Sequence, residues 1–139
     1  MIRSFSFSNF ASFKEETTVS FLAKKKDSSD NTSIELGSWE KLSKVMTIVW
    51  PNASWKTNLL RVISFLRFFL VDSWQLPPEI WLNQFLQPFL ITDDKSKDIQ
   101  ISCIFDLGKE EDTWDVYQIE IIFRDWIAVS EILKLKNKT

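Results

Sequence analysis

Val45-Met46-Thr47-Ile48-Val49-Trp50-Pro51-Asn52-Ala53-Ser54-Trp55-Lys56-Thr57-Asn58-Leu59-Leu60 reads as an apolar strand running through a turn into an amphipathic helix. Its spacing is that of a phosphate-binding loop, Gly-x-x-x-x-Gly-Lys-Ser/Thr between a strand and a helix. Lys56-Thr57 fits, but tryptophan stands at both glycine positions, 50 and 55. Glycine serves in such a loop because backbone amides must approach an anion closely at a helix N-terminus and because the turn visits φ values that a Cβ disfavours. An indole beside the lysine would fill the space of the phosphate.

Two readings follow: a dead loop in which bulky residues replaced both glycines, or a working loop in which the letter W stands for glycine. The remaining tryptophans bear on the choice. Trp39 follows Gly37-Ser38, and Trp74 follows Asp72-Ser73 where a helix from Lys56 should meet its C-terminal glycine. Trp81 follows Pro77-Pro78-Glu79-Ile80, and Trp114 closes the acidic run Glu110-Glu111-Asp112-Thr113. Trp126 follows Asp125 between two alternating runs, where Asp-Gly would be the strongest hairpin signal. Glycine usage averages about 7%, roughly ten residues for a chain of this length. The chain has 2 Gly and 7 Trp, which together make 9. We therefore read most of the tryptophans as glycines, encoded by UGA in a bacterial lineage that assigns this codon to glycine. A genuinely Trp-rich protein with indoles in its turns is the alternative.

Length and composition bound the rest. With 139 residues, 45% of them hydrophobic, the chain can build one core and reads as a single, partial domain over 1–139. A net charge of −2 and a pI near 5.2 supply no basic footprint for nucleic acid. One cysteine, Cys103, and no histidine exclude a disulfide framework, argue against a zinc site and suit a reducing cytoplasm. Met1-Ile2-Arg3 leads into alternation and not into the apolar run of a signal peptide. The most apolar stretch, Leu59 to Val71, is interrupted by Arg61 and Arg67 and is too short to span a bilayer.

Periodicity orders the elements. Strands are expected at Ile2–Phe10, Thr17–Leu22 and, fully buried, Val45–Val49. Leu59, Leu60, Ile63, Leu66 and Leu70 recur at helical spacing, so a helix is expected from Lys56 to about Asp72. A short helix over Glu79–Leu86 follows Pro77-Pro78. Antiparallel strands are then expected at Phe89–Thr92, Ile99–Leu107, Val116–Phe123 and Ile127–Leu135, joined by the acidic loop 108–114 and the Asp125-Trp126 turn. This makes an α/β chain: a phosphate-loop core part over 1–75, then a short helix and an antiparallel β-rich arm over 76–139.

Two stretches carry a family resemblance: Met1-Ile2-Arg3-Ser4-Phe5-Ser6-Phe7-Ser8-Asn9-Phe10-Ala11-Ser12-Phe13, and Trp50 to Leu60. With glycine at 50 and 55 the second reads Gly-Pro-Asn-Ala-Ser-Gly-Lys-Thr-Asn-Leu-Leu. The chain resembles the N-terminal part of AAA-family ATPases of the ABC-like type, which include SMC, RecF and OLD-type proteins. The resemblance covers nearly all of the chain and implies the fold of a P-loop NTPase, with strands before the loop, one long helix after it and a β-rich arm. It departs at Ala11, where an arginine that helps hold nucleotide is common.

The resemblance also implies ATP and Mg²⁺ as ligands. The nucleotide site would comprise Trp50, Pro51, Asn52, Ala53, Ser54, Trp55, Lys56, Thr57 and Asn58. Amides of Ala53 to Thr57 would cradle the α- and β-phosphates, Lys56 would neutralise the β/γ-phosphates, and the Thr57 hydroxyl would ligate Mg²⁺. Asn52 and Ser54 would shape the loop. The signature segment, Walker B pair and switch histidine of the family are expected in a missing C-terminal half or a second subunit. Asp106 resembles a Walker B aspartate, but Leu107 stands where the catalytic glutamate is expected, so Asp106 reads as a strand-end residue. Intact members hydrolyse ATP across a dimer interface and act on DNA or in phage defence; this piece holds no residue to position the attacking water. The competing class is a non-enzymatic β-rich interaction module with a degenerate loop. The encoding DNA separates the readings: UGA is expected at positions 50 and 55, and UGG at both rejects the glycine reading.

Overall fold

The computed structural model describes residues 1–23, 32–36, 40–49, 55–72, 86–89, 98–107, 115–125 and 127–136. Alternation sets the first strand, β1 (Ile2–Ser8), which buries Phe5 and Phe7 on one face and turns Ser4, Ser6 and Ser8 to the other. β2 (Thr17–Ser20) pairs with it antiparallel, Phe5 opposite Val19. β3 (Ser33–Glu35) and β4 (Lys41–Ser43) form a small separate hairpin. Helix α1 (Trp55–Arg67) runs on into a π-helical turn, Phe68–Asp72. β5 (Ile99–Leu107), β6 (Asp115–Arg124) and β7 (Ile127–Lys136) complete a five-stranded antiparallel sheet of order β2-β1-β5-β6-β7. Among the described residues the architecture is α/β, with mostly antiparallel strands and one helix.

One face of the sheet and one stripe of α1 make the core. Val62, Phe65 and Leu66 of the helix are fully buried among Phe5, Phe7, Ile101, Cys103, Ile119, Ile121 and Phe123. Phe65 meets Phe123 edge-on at 5.4 Å, and Phe7 meets Phe13 edge-on at 4.9 Å. Such pairs add about 0.5–1.5 kcal/mol each beyond their burial. The phenylalanine alternation in β1 and the leucine stripe of α1 are therefore packing devices. Among the described residues no helix is long and apolar enough to cross a membrane.

Several sequence expectations need correction or fall outside the described residues. Val45–Val49 is not a buried strand: it is irregular and solvent-facing, with Val45 69% and Val49 83% exposed. A continuous apolar run suits a strand with sheet neighbours on both edges and covered faces. No described strand lies beside it. The expected helix 56–72 is α-helical only to Arg67. Of the expected strand 89–92 only Phe89 is described, and 79–85 of the expected short helix lie outside as well.

The β6–β7 connection is a two-residue hairpin, because Arg124 pairs with Ile127 and leaves 125 and 126 as the loop. Asp125 has φ 48°. The tight turns favoured in such loops take positive φ at both central positions when they are of type I′. A residue with a Cβ pays about 1–2 kcal/mol for that conformation, and glycine does not. Asp125→Val is therefore expected to destabilise the chain by about 1–2 kcal/mol, read as a lower urea midpoint at unchanged slope, because a β-branched residue resists positive φ; an unchanged or higher midpoint refutes this assignment of the turn.

Candidate functional site

Of the expected nucleotide site, Trp50, Pro51, Asn52, Ala53 and Ser54 lie outside the described residues, and Trp55 opens α1 with a helical backbone. Any demand for glycine at 55 thus concerns the room a phosphate needs. Lys56 and Thr57 follow in the first turn and both are exposed. That turn carries no acidic residue. The partial positive charge of the helix end and the Lys56 ammonium therefore add, with no carboxylate in the turn to offset them.

Asn58 is turned away from solvent: its Nδ2 donates to Ser12 Oγ at 2.9 Å. This bond ties the start of α1 to the tight turn after β1, where Asn9 and Ala11 sit at φ 52° and 50°. The Phe10 amide donates to the Phe13 carbonyl, and the Ala11 amide to the Gln87 carbonyl. One turn along the helix, Arg61 Nη1 donates to Gln87 Oε1 at 2.9 Å. The two stretches that carry the family resemblance thus meet in space through Ser12 and Asn58. Only a side chain's reach across the fold could reveal that contact, so the sequence pattern missed Ser12.

A second polar cluster lies inside the sheet. Asp106 is 1% exposed and accepts two bonds from Arg3 Nε, at 2.9 and 2.8 Å, while Arg3 Nη1 donates to Glu40 Oε2 at 2.6 Å. Arg3 Nη2 is buried without a hydrogen-bond partner. Asp106 is therefore engaged by Arg3, in keeping with its reading as a structural residue near the end of β5. Nothing in the alternation of β1 singled out Arg3, because its partner is 103 positions away.

Other titratable groups are peripheral or inert. Asp98 accepts two bonds from Arg124 at 2.8 Å, and this bonding holds its carboxyl below the usual carboxylate range. The pair's contribution to stability is present above the ordinary carboxylate range and is lost as pH falls through the lowered value; both groups are accessible to water, so it is small. Burial pushes the Cys103 thiol up to about 11, leaving it protonated at neutral pH. Among the described residues no group of three or more His, Cys, Asp or Glu could hold a metal ion. The Mg²⁺ expected with ATP would have the Thr57 hydroxyl, at the start of α1, as its candidate ligand among the described residues. The exposed hydroxyl at the positive helix end fits that role.

No family model, curated protein or solved structure matches this chain.

The buried pair can be weighed by a double-mutant cycle. Arg3→Met alone strands a buried carboxylate and is expected to cost about 3–5 kcal/mol, whereas Arg3→Met with Asp106→Leu is expected to cost far less, because no uncompensated charge remains. Equal losses in the single and double variants, read by chemical denaturation, would refute the pairing.

Proposed function

We propose that this chain is the ATP-binding N-terminal fragment of an ABC-like AAA-family ATPase, whose intact form works on DNA or in phage defence. The observation that carries the reading is the placement of Lys56 and Thr57, both exposed in the first turn of a helix whose N-terminal end has no acid, directly after the loop sequence Trp50 to Trp55. Bound Mg²⁺-ATP would bring phosphates to that end of α1. Amides from Ala53 to Thr57 would hold the α- and β-phosphates, Lys56 would neutralise the β/γ-phosphates, and the Thr57 hydroxyl would be the ligand to the metal. Asn58 would steady the start of the helix through Ser12.

Binding is the extent of the activity proposed for these residues alone. Asp106 is committed to Arg3, and no described group is placed to orient an attacking water. The solvent-facing run Val45–Val49 supports a missing partner, since its composition suits a strand flanked by others. A continuing chain or second subunit would supply those strands along with the Walker B and signature residues.

The second reading, a β-rich interaction module with a degenerate loop, is favoured by the sheet itself, which makes the core of the described residues together with α1. Calorimetric titration with Mg²⁺-ATP separates the two. The Trp50→Gly, Trp55→Gly form is expected to bind without steady turnover. Adding Lys56→Ala is expected to weaken binding roughly 10- to 100-fold, the worth of about 1.5–3 kcal/mol for a bond to a charged group. Absence of binding by the glycine form overturns the nucleotide reading, as does binding that ignores Lys56.

A further inference from the structure

Residues from three parts of the chain close a ring beside the first turn of α1. Asn58 Nδ2 donates to Ser12 Oγ at 2.9 Å, and three residues on, Arg61 Nη1 donates to Gln87 Oε1 at 2.9 Å. The ring closes because the amide of Ala11, next to Ser12, donates to the Gln87 carbonyl. Residues three apart on a helix lie on the same side of it, so the turn after β1 and Gln87 hold one side of α1 at two points. A helical side chain leans toward the N-terminus and covers the turn before its own Cα. The Asn58 amide group therefore lies alongside the turn that carries Lys56 and Thr57.

The backbone on either side of Phe10 is bent to make this contact. Asn9 and Ala11 hold φ at 52° and 50°, a region costly to residues with a Cβ. Such a conformation persists only where its surroundings over-determine it. Here Phe10 is fully buried, its amide donates to the Phe13 carbonyl, and the Phe89 amide donates to Asn9 Oδ1 at 3.3 Å. Apolar packing alone would leave α1 freer. Val62, Phe65 and Leu66 bury against side chains of the sheet, and that attraction is non-directional. A hydrogen bond keeps its heavy atoms within about 2.7–3.2 Å, so the bonds at 58 and 61 fix the slide of the helix along its axis and its rotation about it.

We propose that Ser12 is a positioning residue for bound phosphates: through Asn58 it sets the aim of the first-turn amides of α1, while Gln87 holds the same side of the helix through Arg61. The inference rests on the nucleotide reading of that turn. Neither Ser12 nor Asn58 carries charge, so removing either leaves the attraction of Lys56 and of the helix end in place and alters only where the amides point. Ser12 acts on the anion through the helix and not on the nucleoside, so its effect follows the phosphates.

Calorimetric titration of the Trp50→Gly, Trp55→Gly form tests this with two probes, Mg²⁺-ATP and Mg²⁺-tripolyphosphate. Ser12→Ala is expected to weaken both by the same factor, roughly 5- to 10-fold, the worth of one neutral hydrogen bond. Asn58→Ala is expected to match it, and the double variant to bind no more weakly than either single one, because both substitutions break one bond. Ser12→Thr keeps the hydroxyl and is expected to bind as the parent does. Ser102→Ala deletes a comparable hydroxyl, the acceptor for Gln118 on the far face of the sheet, and is expected to leave both affinities unchanged. Unchanged affinity in Ser12→Ala overturns the proposal alone when Lys56→Ala still weakens binding. So does a loss with ATP that tripolyphosphate does not share, or an equal loss in Ser102→Ala. A glycine form that binds neither probe overturns the nucleotide reading, and the proposal falls with it.

Discussion

The antiparallel pairing of β1 with β5, clamped by Arg3 on Asp106, is the constraint on which the rest of the structure depends. It joins residues 2–8 to residues 100–105, so nearly the whole chain between them is a loop that must close before the sheet exists. Closing a loop of that size costs conformational entropy, though the cost grows only logarithmically with length. The return comes from the phenylalanines of β1, which face Ile101 and Cys103 of β5 on the buried side. The guanidinium adds direction to a contact that apolar burial leaves permissive: a register slip would carry Arg3 away from Asp106 and set a buried charge without a partner.

Once β1 and β5 are paired, α1 has one place to go. It is inserted between them in sequence and lays Val62, Phe65 and Leu66 over the face that they share with β6. The helix is held along its buried stripe and by Asn58 and Arg61, through Ser12 and Gln87. Its N-terminal turn therefore projects Lys56 and Thr57 into solvent from a fixed frame.

The polar face of the sheet and its outer edge follow from the same arrangement. Among the described residues α1 lies on one side, and the opposite face carries Ser4, Ser6, Ser8, Ser102 and Gln118, which donates to Ser102 Oγ and to Glu120. Glu120 also draws in Lys134 of β7 across this face. Among the described residues none pairs with β7 beyond β6, whereas β2 has a hairpin beside it.

Period-two alternation in β1, β5, β6 and β7, the helical stripe from Leu59 onward and the Asp125 hairpin were all readable from the residues alone, because each depends on contacts within a few positions or on one face of one element. The Lys56-Thr57 pair at a helix start was readable for the same reason, as local backbone geometry and residue spacing determine it. Tertiary structure decided what local pattern cannot encode. Val45–Val49 has the composition of a buried strand, yet burial needs neighbours that the local sequence does not specify, and it stands in solvent. Arg3 on Asp106, Asn58 on Ser12 and the β3–β4 hairpin beside β2 likewise arise only when distant segments meet, since a hydrogen bond or ion pair is defined by separation in space and not by position along the chain.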